Sequence, residues 1–331
     1  MNAHAIVFRA ANEPSLEEIN IPNPKTDEML VKIHYSGVSI GTESSIFSGA
    51  RTHNGTFPLV GGYMATGEVV ATGGEVKNFK PGDMVVALGA KMTEEISSIW
   101  GGHSSMQVIN QENAVSIPAG AKLEEAALFV LPGVGLNAVT LSGITEHDTV
   151  LIQGQGLIGQ FFGQWCANRG ARVIAIEPAP DRAALSKKYV TKHVLSPADP
   201  KLEEKIAALT NGRGPSVVTE ATGNARSLST ATKYLTMNGK MIFLSWYPGK
   251  VEIDFSHFHN SQISAFFPMG SGDSDTTRAT LECLASGALK IGYNITDLLD
   301  YTKACEGYKR LINGDRSVMG MVFDWRNSHK N

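Results

Sequence analysis

Cysteine is scarce in this chain. Only Cys166, Cys283 and Cys305 occur in 331 residues, far apart and with no C-x-x-C pair. So small and odd a set gives no disulfide framework and fits a reducing compartment. Long apolar runs are also missing: no uninterrupted stretch reaches about 18 residues, so no membrane span is expected. The first apolar run, Ala5-Ile6-Val7-Phe8, reads as a strand and not as the core of a signal peptide, and the expected location is the cytoplasm. Nor is there an excess of charge of either sign. A net charge of −3 offers no electrostatic basis for a nucleic-acid or membrane partner, and pairs such as Lys187-Lys188 read as solvated helix surface. Repeats and low-complexity segments are absent. What remains, 42% hydrophobic and 18% charged, describes a soluble globular protein long enough for two domains.

The most informative stretch runs from Val150 to Gly159. An apolar β-type run, Val150-Leu151-Ile152-Gln153, leads into Gly154-Gln155-Gly156-Leu157-Ile158-Gly159, and a helix is expected over 160–169. In G-x-G-x-x-G the first glycine permits a tight turn and the second lets backbone approach a pyrophosphate. The third brings helix and strand together, with the phosphates at the helix N-terminus. The backbone of Gly154, Gly156, Leu157, Ile158 and Gly159 is therefore the expected phosphate cradle. The pattern alone is weak, but its context is right. A second apolar run, Ala171 to Ile176, ends in Glu177, about 20 residues past the glycines. Strand, turn, helix, strand and acid together predict a dinucleotide-binding βαβ unit.

The flanking texture sets the organisation. Residues 1–124 carry short alternating runs (Leu30 to Tyr35, Thr66 to Ala71, Met84 to Leu88) broken by Gly, Pro and Asn clusters, as in an antiparallel β domain. From 125 to 264 helical and β-type runs alternate. A helical pattern starts at Glu124 to Val130 and continues over Leu136 to Leu141 beyond a glycine-rich interruption. Alternation of this kind predicts an α/β fold with a doubly wound parallel sheet. Ala221-Thr222-Gly223 and Ser245-Trp246-Tyr247 then fall at carboxyl ends of strands, where such sheets bind ligands. Residues 265–331 are mixed, ending in a β-type run, Val318 to Asp324, that suggests a return to the first domain.

Gly41-Thr42-Glu43 after a strand, Gly61-Gly62-Tyr63 before Gly67-Glu68-Val69-Val70, Pro81-Gly82-Asp83, and the glycine unit occur in an order that resembles the medium-chain dehydrogenase/reductase superfamily over essentially the whole chain. The resemblance implies a chaperonin-10-like β-barrel catalytic domain with a Rossmann domain inserted before its C-terminal part. It also implies a nicotinamide cofactor, a small-molecule substrate in the cleft between the domains, and a homodimer. Gly41-Thr42-Glu43 with Gly62-Tyr63 is similar to a zinc-lacking branch that includes the bacteriochlorophyllide hydroxyethyl dehydrogenases. Zinc-dependent members place a cysteine where Ile40 stands, His-Glu where Tyr63-Met64 stand, and a third ligand near Pro132. Residues 89–100, the region of their structural zinc lobe, contain no cysteine. Zinc needs thiolate, imidazole or carboxylate donors, so no zinc is expected.

These readings give a set of candidate residues. Glu177 is expected at the adenosine ribose, favouring NAD by repelling a 2′-phosphate, with NADP left open by Arg182 close by in sequence. Arg182 reads equally as a helix-surface charge. Ala221, Thr222 and Ser245 complete the expected cofactor edge. Thr42 stands where zinc-dependent relatives keep the hydroxyl that meets the substrate alcohol; the alternative is a turn residue bonding its own backbone. Tyr63 is either the acid or base for the substrate proton or an aromatic filling the vacated metal site. A phenol titrates near about 10 in water, so the first role needs a nearby positive charge. Glu43 reads as a buried acid with a cationic partner, and His103 as a structural histidine. His53, Trp246 and Tyr247 are the substrate-facing candidates. The expected activity is zinc-independent interconversion of a secondary alcohol and a ketone by an NAD-linked dehydrogenase. The alternatives are an enoyl or quinone reductase of the same fold, or a non-catalytic nucleotide-binding redox sensor.

Overall fold

The computed structural model describes residues 1–50, 57–93, 95–247 and 249–329. Arg51 and His53 lie outside the described residues. Two compact units are found, one of residues 1–129, 277–287 and 291–331, the other of residues 130–276 and 288–290.

The first unit opens with β1 (Asn2–Phe8), β2 (Pro14–Asn20), β3 (Glu28–Val38) and α1 (Ile40–Phe47). It continues through β4 (Leu59–Val60), β5 (Met64–Thr72), β6 (Met84–Ala87), β7 (Ser97–Ser98), β8 (Met106–Asn110), β9 (Ala114–Ser116) and α2 (Leu123–Ala126). The 11-residue β3 is its spine: one edge pairs with β5, and the other pairs with β8 along residues 28–32. A second sheet has the order β2-β1-β4-β7. Alternate side chains of β3 and its neighbours, including Met29, Val31, Ile33, Val69 and Val85, bury one face in a single apolar cluster, as a period of two requires.

The second unit contains α3 (Val130–Ser142), β10 (Thr149–Gln153), α4 (Leu157–Asn168), β11 (Arg172–Ile176), α5 (Pro180–Tyr189), β12 (Val194–Leu195) and α6 (Leu202–Leu209). Then come β13 (Val217–Glu220), α7 (Ala225–Thr232), β14 (Lys240–Phe243), α8 (Phe255–Asn260) and β15 (Ser264–Phe266). The strands form one parallel sheet in the order β12-β11-β10-β13-β14-β15. This is the doubly wound order expected from the alternating runs, and the strand order reverses at β10, where the glycine turn emerges. The core strands are mostly apolar because helices cover both faces, with the buried polar residues Gln153, Thr219 and Glu220 gathered toward their carboxyl ends.

One detail differs from the sequence expectation. The glycine-rich Pro132-Gly133-Val134-Gly135 is not an interruption but the first turns of α3, and the break falls earlier, before Val130. Pro132 is tolerated because the first turn needs no N–H from it. A Cβ on Gly133 would stand 2.7 Å from the Ser271 Cβ, so close approach and not chain reversal selects glycine there.

After the helix α9 (Ser274–Ser286) the chain adds β16 (Ile295–Asp300), α10 (Ala304–Ile312) and β17 (Gly320–Asp324). Here β17 pairs antiparallel with residues 35–38 of β3, next to the stretch taken by β8, so the return to the first unit is built into its main sheet. No helix among the described residues is long and apolar enough to cross a membrane.

Candidate functional site

The glycine turn divides its work three ways. Gly154 has φ +91°, a left-handed conformation, and a Cβ there would meet Thr222 Cγ2 at 2.8 Å. Gly159 allows α4 to touch the turn: its Cβ would stand 2.1 Å from the Gly154 carbonyl oxygen. Gly156 needs neither, since a Cβ would find nothing within 4 Å. That open space lies at the N-cap of α4, where no side chain caps the helix and no acid occupies the first turn. The first N–H groups of Leu157 and Ile158 are thus left for an anion, which the helix dipole also favours.

Glu177 follows β11 and is only 6% exposed. Its Oε2 accepts from the Gln155 N–H at 2.7 Å, and its Oε1 accepts from the Ala179 N–H at 2.9 Å. The carboxylate therefore clamps the glycine turn to the next strand end, with a second lone pair on each oxygen remaining for another donor. Gln155 adds to the clamp, accepting from the Ser186 hydroxyl at 2.6 Å. Arg182 is half-buried on α5.

On the other side of β10 the edge is organised by a residue that sequence reasoning missed. Glu220 ends β13 and is fully buried. It accepts from the Thr222 N–H at 2.8 Å, from the Ser227 hydroxyl at 2.9 Å, and from the hydroxyls of Thr222 and Tyr247. Ser245 Oγ accepts from the Gly223 N–H at 2.8 Å. Ala221, Thr222 and Ser245 are thereby brought together beside Gly154. Tyr247 differs from the substrate-facing reading: its ring packs on the sheet core and its hydroxyl turns in to Glu220. Burial, with the adjacent carboxylate, pushes that phenol far above its ordinary range. Trp246 alone of this pair is exposed. The signal for Glu220 was an acid closing an apolar strand that is buried on both faces, where a carboxylate must find donors.

In the first unit, Thr42 stands half-buried in the first turn of α1, and its carbonyl accepts from the Ser45 hydroxyl at 2.7 Å. Tyr63, also half-buried, sits just before β5 with its ring edge-on to Trp100, centroids 5.0 Å apart. Trp100 holds φ +68°, a conformation that a bulky residue rarely adopts. Beneath these segments runs a buried network. Trp325 Nε1–H donates to Ser36 Oγ at 2.8 Å, Ser36 Oγ lies 2.8 Å from His103 Nδ1, and His103 Nε2 lies 2.9 Å from Glu43 Oε2. The indole only donates, so Ser36 Oγ accepts from it, and a carboxylate only accepts, so His103 Nε2–H donates to Glu43. Glu43 also accepts from the Ser39 N–H at 2.8 Å and the Tyr308 hydroxyl at 2.5 Å. Burial, and then Glu43, hold the Tyr308 phenol well above its ordinary range.

The network joins the two segments that carry Thr42 and Tyr63. Glu43 is the residue after Thr42. The His103 N–H bonds the Gly61 carbonyl at 3.0 Å, and the His103 ring is so close under Gly62 that a Cβ would stand 2.5 Å from it. Both nitrogens of His103 are engaged and the residue is 1% exposed, so it faces no solvent.

The zinc positions of related enzymes carry other chemistry. Ile40 packs on the apolar cluster, Met64 is buried, and the Pro132 carbonyl accepts from Trp165 Nε1 at 2.8 Å. Among the described residues no three of His, Cys, Asp and Glu are grouped to hold a metal. Ile40 and Pro132 carry no side-chain donor of the kind zinc takes.

Two family models match the chain. Residues 25–119 match the alcohol dehydrogenase GroES-like domain, and residues 158–286 match the zinc-binding dehydrogenase family. The chain is 24% identical to the 2-desacetyl-2-hydroxyethyl bacteriochlorophyllide A dehydrogenase of Cereibacter sphaeroides, over 98% of this chain and 99% of that one. Among solved structures, a short chain alcohol dehydrogenase of Escherichia coli complexed with NADH superposes with a TM-score of 0.85 at 19% identity, covering 98% and 99% of the two chains. A zinc-binding dehydrogenase of Sinorhizobium meliloti bound to NADP gives the same TM-score at 20% identity and the same coverage.

Proposed function

The chain belongs to the medium-chain dehydrogenase/reductase superfamily, an alcohol dehydrogenase-like family of oxidoreductases, and from that premise we propose that it interconverts a secondary alcohol and a ketone by NAD(H)-linked hydride transfer without zinc. The observation that carries the reading is the uncapped N-terminus of α4 at the open Gly156, joined by Glu177 to the next strand end. When bound, the nicotinamide supplies the hydride acceptor or donor. The protein's own tasks are to bind, orient and move one proton. Leu157 and Ile158 present N–H groups to the pyrophosphate. Glu177 accepts from the adenosine ribose hydroxyls and disfavours a 2′-phosphate. With no Lewis acid to acidify the alcohol, Thr42 and Tyr63 carry the proton.

The test is a titration with NADH and NADPH followed by assay over secondary alcohols, ketones and conjugated enones. Turnover of alcohols or ketones with NAD(H) is expected. Reduction of enones alone with NADPH moves the reading to an enoyl or quinone reductase. Cofactor binding without turnover moves it to a redox sensor.

Activity should survive prolonged dialysis against a chelator, because Ile40 and Pro132 have no donor side chain. Loss on chelation with recovery on adding zinc would refute the metal-free reading.

Glu177→Ala should weaken NADH binding by on the order of 1.5–3 kcal/mol, about ten- to 150-fold, and narrow the gap to NADPH. It should also lower the melting temperature, since two N–H groups lose their acceptor. A lower melting temperature with an unchanged NADH-to-NADPH ratio would leave Glu177 as a turn clamp only.

A further inference from the structure

We propose that Glu220 is a positioning residue for the reacting half of the dinucleotide. This rests on the dinucleotide reading above and concerns a residue that touches neither cofactor nor substrate. A pyrophosphate at the β10–α4 turn leaves two halves of the cofactor to place. Glu177, at the end of β11, takes the adenosine half on one side of β10. The other half, which carries the nicotinamide, then falls over the carboxyl ends of β13 and β14, on the opposite side of the switch point.

That edge is tied together by Glu220. Its donors come from three separate segments: Thr222 from the turn after β13, Ser227 from α7, and Tyr247 from the chain beyond β14. Thr222 in turn packs against Gly154, and Ser245 holds the Gly223 N–H. One carboxylate thus fixes the turn after β13 relative to the turn after β14 and to the glycine turn. These partners are neutral, so the buried acid lacks the usual compensation of a paired cation, and a carboxylate kept on those terms is costly for a purely structural tie. Its value lies in accepting donors on both of its oxygens at once, which an amide, with one oxygen, or an apolar side chain does not do.

Glu220→Gln keeps the shape but replaces one acceptor with an NH₂ group that faces donors. NADH binding, followed by nucleotide fluorescence, is expected to fall about tenfold. Binding of ADP-ribose, which lacks the nicotinamide, should be unchanged by calorimetry. Tyr247→Phe keeps the ring in the core, removes one donor, and should shift NADH binding in the same direction with ADP-ribose again unaffected. It carries the test alone if Glu220→Gln does not fold. Equal losses for both ligands would make Glu220 a general structural tie, and unchanged NADH binding in both variants would remove its positioning role. Either result overturns the proposal. A parent protein that binds neither ligand would overturn the dinucleotide reading itself, and the role of Glu220 with it.

Discussion

Tyr63→Phe is expected to lower turnover by about 10²–10⁴-fold while leaving NADH affinity and the melting temperature near those of the parent. The substitution keeps the ring that lies edge-on to Trp100 and deletes only the hydroxyl. A loss of this size is what removal of an acid or base produces, and the pH–rate profile should lose the limb belonging to the phenol. Thr42→Val makes the same separation on α1, keeping the branched shape without the hydroxyl. The Thr42 carbonyl that accepts from Ser45 is untouched, so the helix turn should hold. Large losses in both variants, with unchanged structures, support a relay through the two hydroxyls. Near-parental turnover in Tyr63→Phe would make that residue a wall of the site and pass the proton to His53.

His103→Leu is expected to cost about 3–5 kcal/mol of folding stability, because two buried groups each lose a hydrogen-bond partner at about 1–3 kcal/mol apiece, and more for the acidic one. Glu43 would keep the Ser39 N–H and the Tyr308 hydroxyl but lose the imidazole, and the Ser36 hydroxyl would lose its partner at Nδ1. Ser36→Ala should cost less, about 1–3 kcal/mol, because it strands only the Trp325 N–H and one nitrogen of His103. Denaturant midpoints with unchanged slopes provide the measurement. If His103→Leu stays within about 1 kcal/mol of the parent, the imidazole is a space-filling ring and the network reading fails.

Much of this architecture is legible in the sequence, because local pattern dictates it. The strand–glycine–helix–strand–acid order around Gly154 leaves little choice of fold, and the alternation up to β14 predicts a parallel sheet, though not its sixth strand β15. Other parts are hidden because packing overrides pattern. Pro14 to Asn20 lacks apolar alternation, yet pairs with β1 along its whole length. Gly41 and the serines after it mask the helix α1, which closes on Ile46 and Phe47 in the core. The glycines of α3 look like a break until Ser271 is seen against Gly133. At the candidate site, the glycine turn is local and readable. The partners of Glu43 are not, since His103 and Tyr308 lie 60 and 265 residues away in sequence. Tyr247 misleads for the same reason: its place after a strand end points to a ligand, while its hydroxyl answers Glu220 on the neighbouring strand.

The return of the chain to its first unit also sets an order of assembly on the ribosome. The parallel-sheet unit draws on residues 130–276 and 288–290, and its strands emerge in a single uninterrupted run. The earlier unit cannot complete its hydrogen-bond network until Tyr308 and Trp325 have been synthesised, nor pair residues 35–38 of β3 until β17 exists. Vectorial synthesis ordinarily favours the N-terminal domain first. Here the segment made second is the first able to finish, and the nascent N-terminal strands must wait with Glu43 and Ser36 lacking these partners. A released chain ending near residue 295 would therefore carry a complete parallel-sheet unit and an open, protease-sensitive first one.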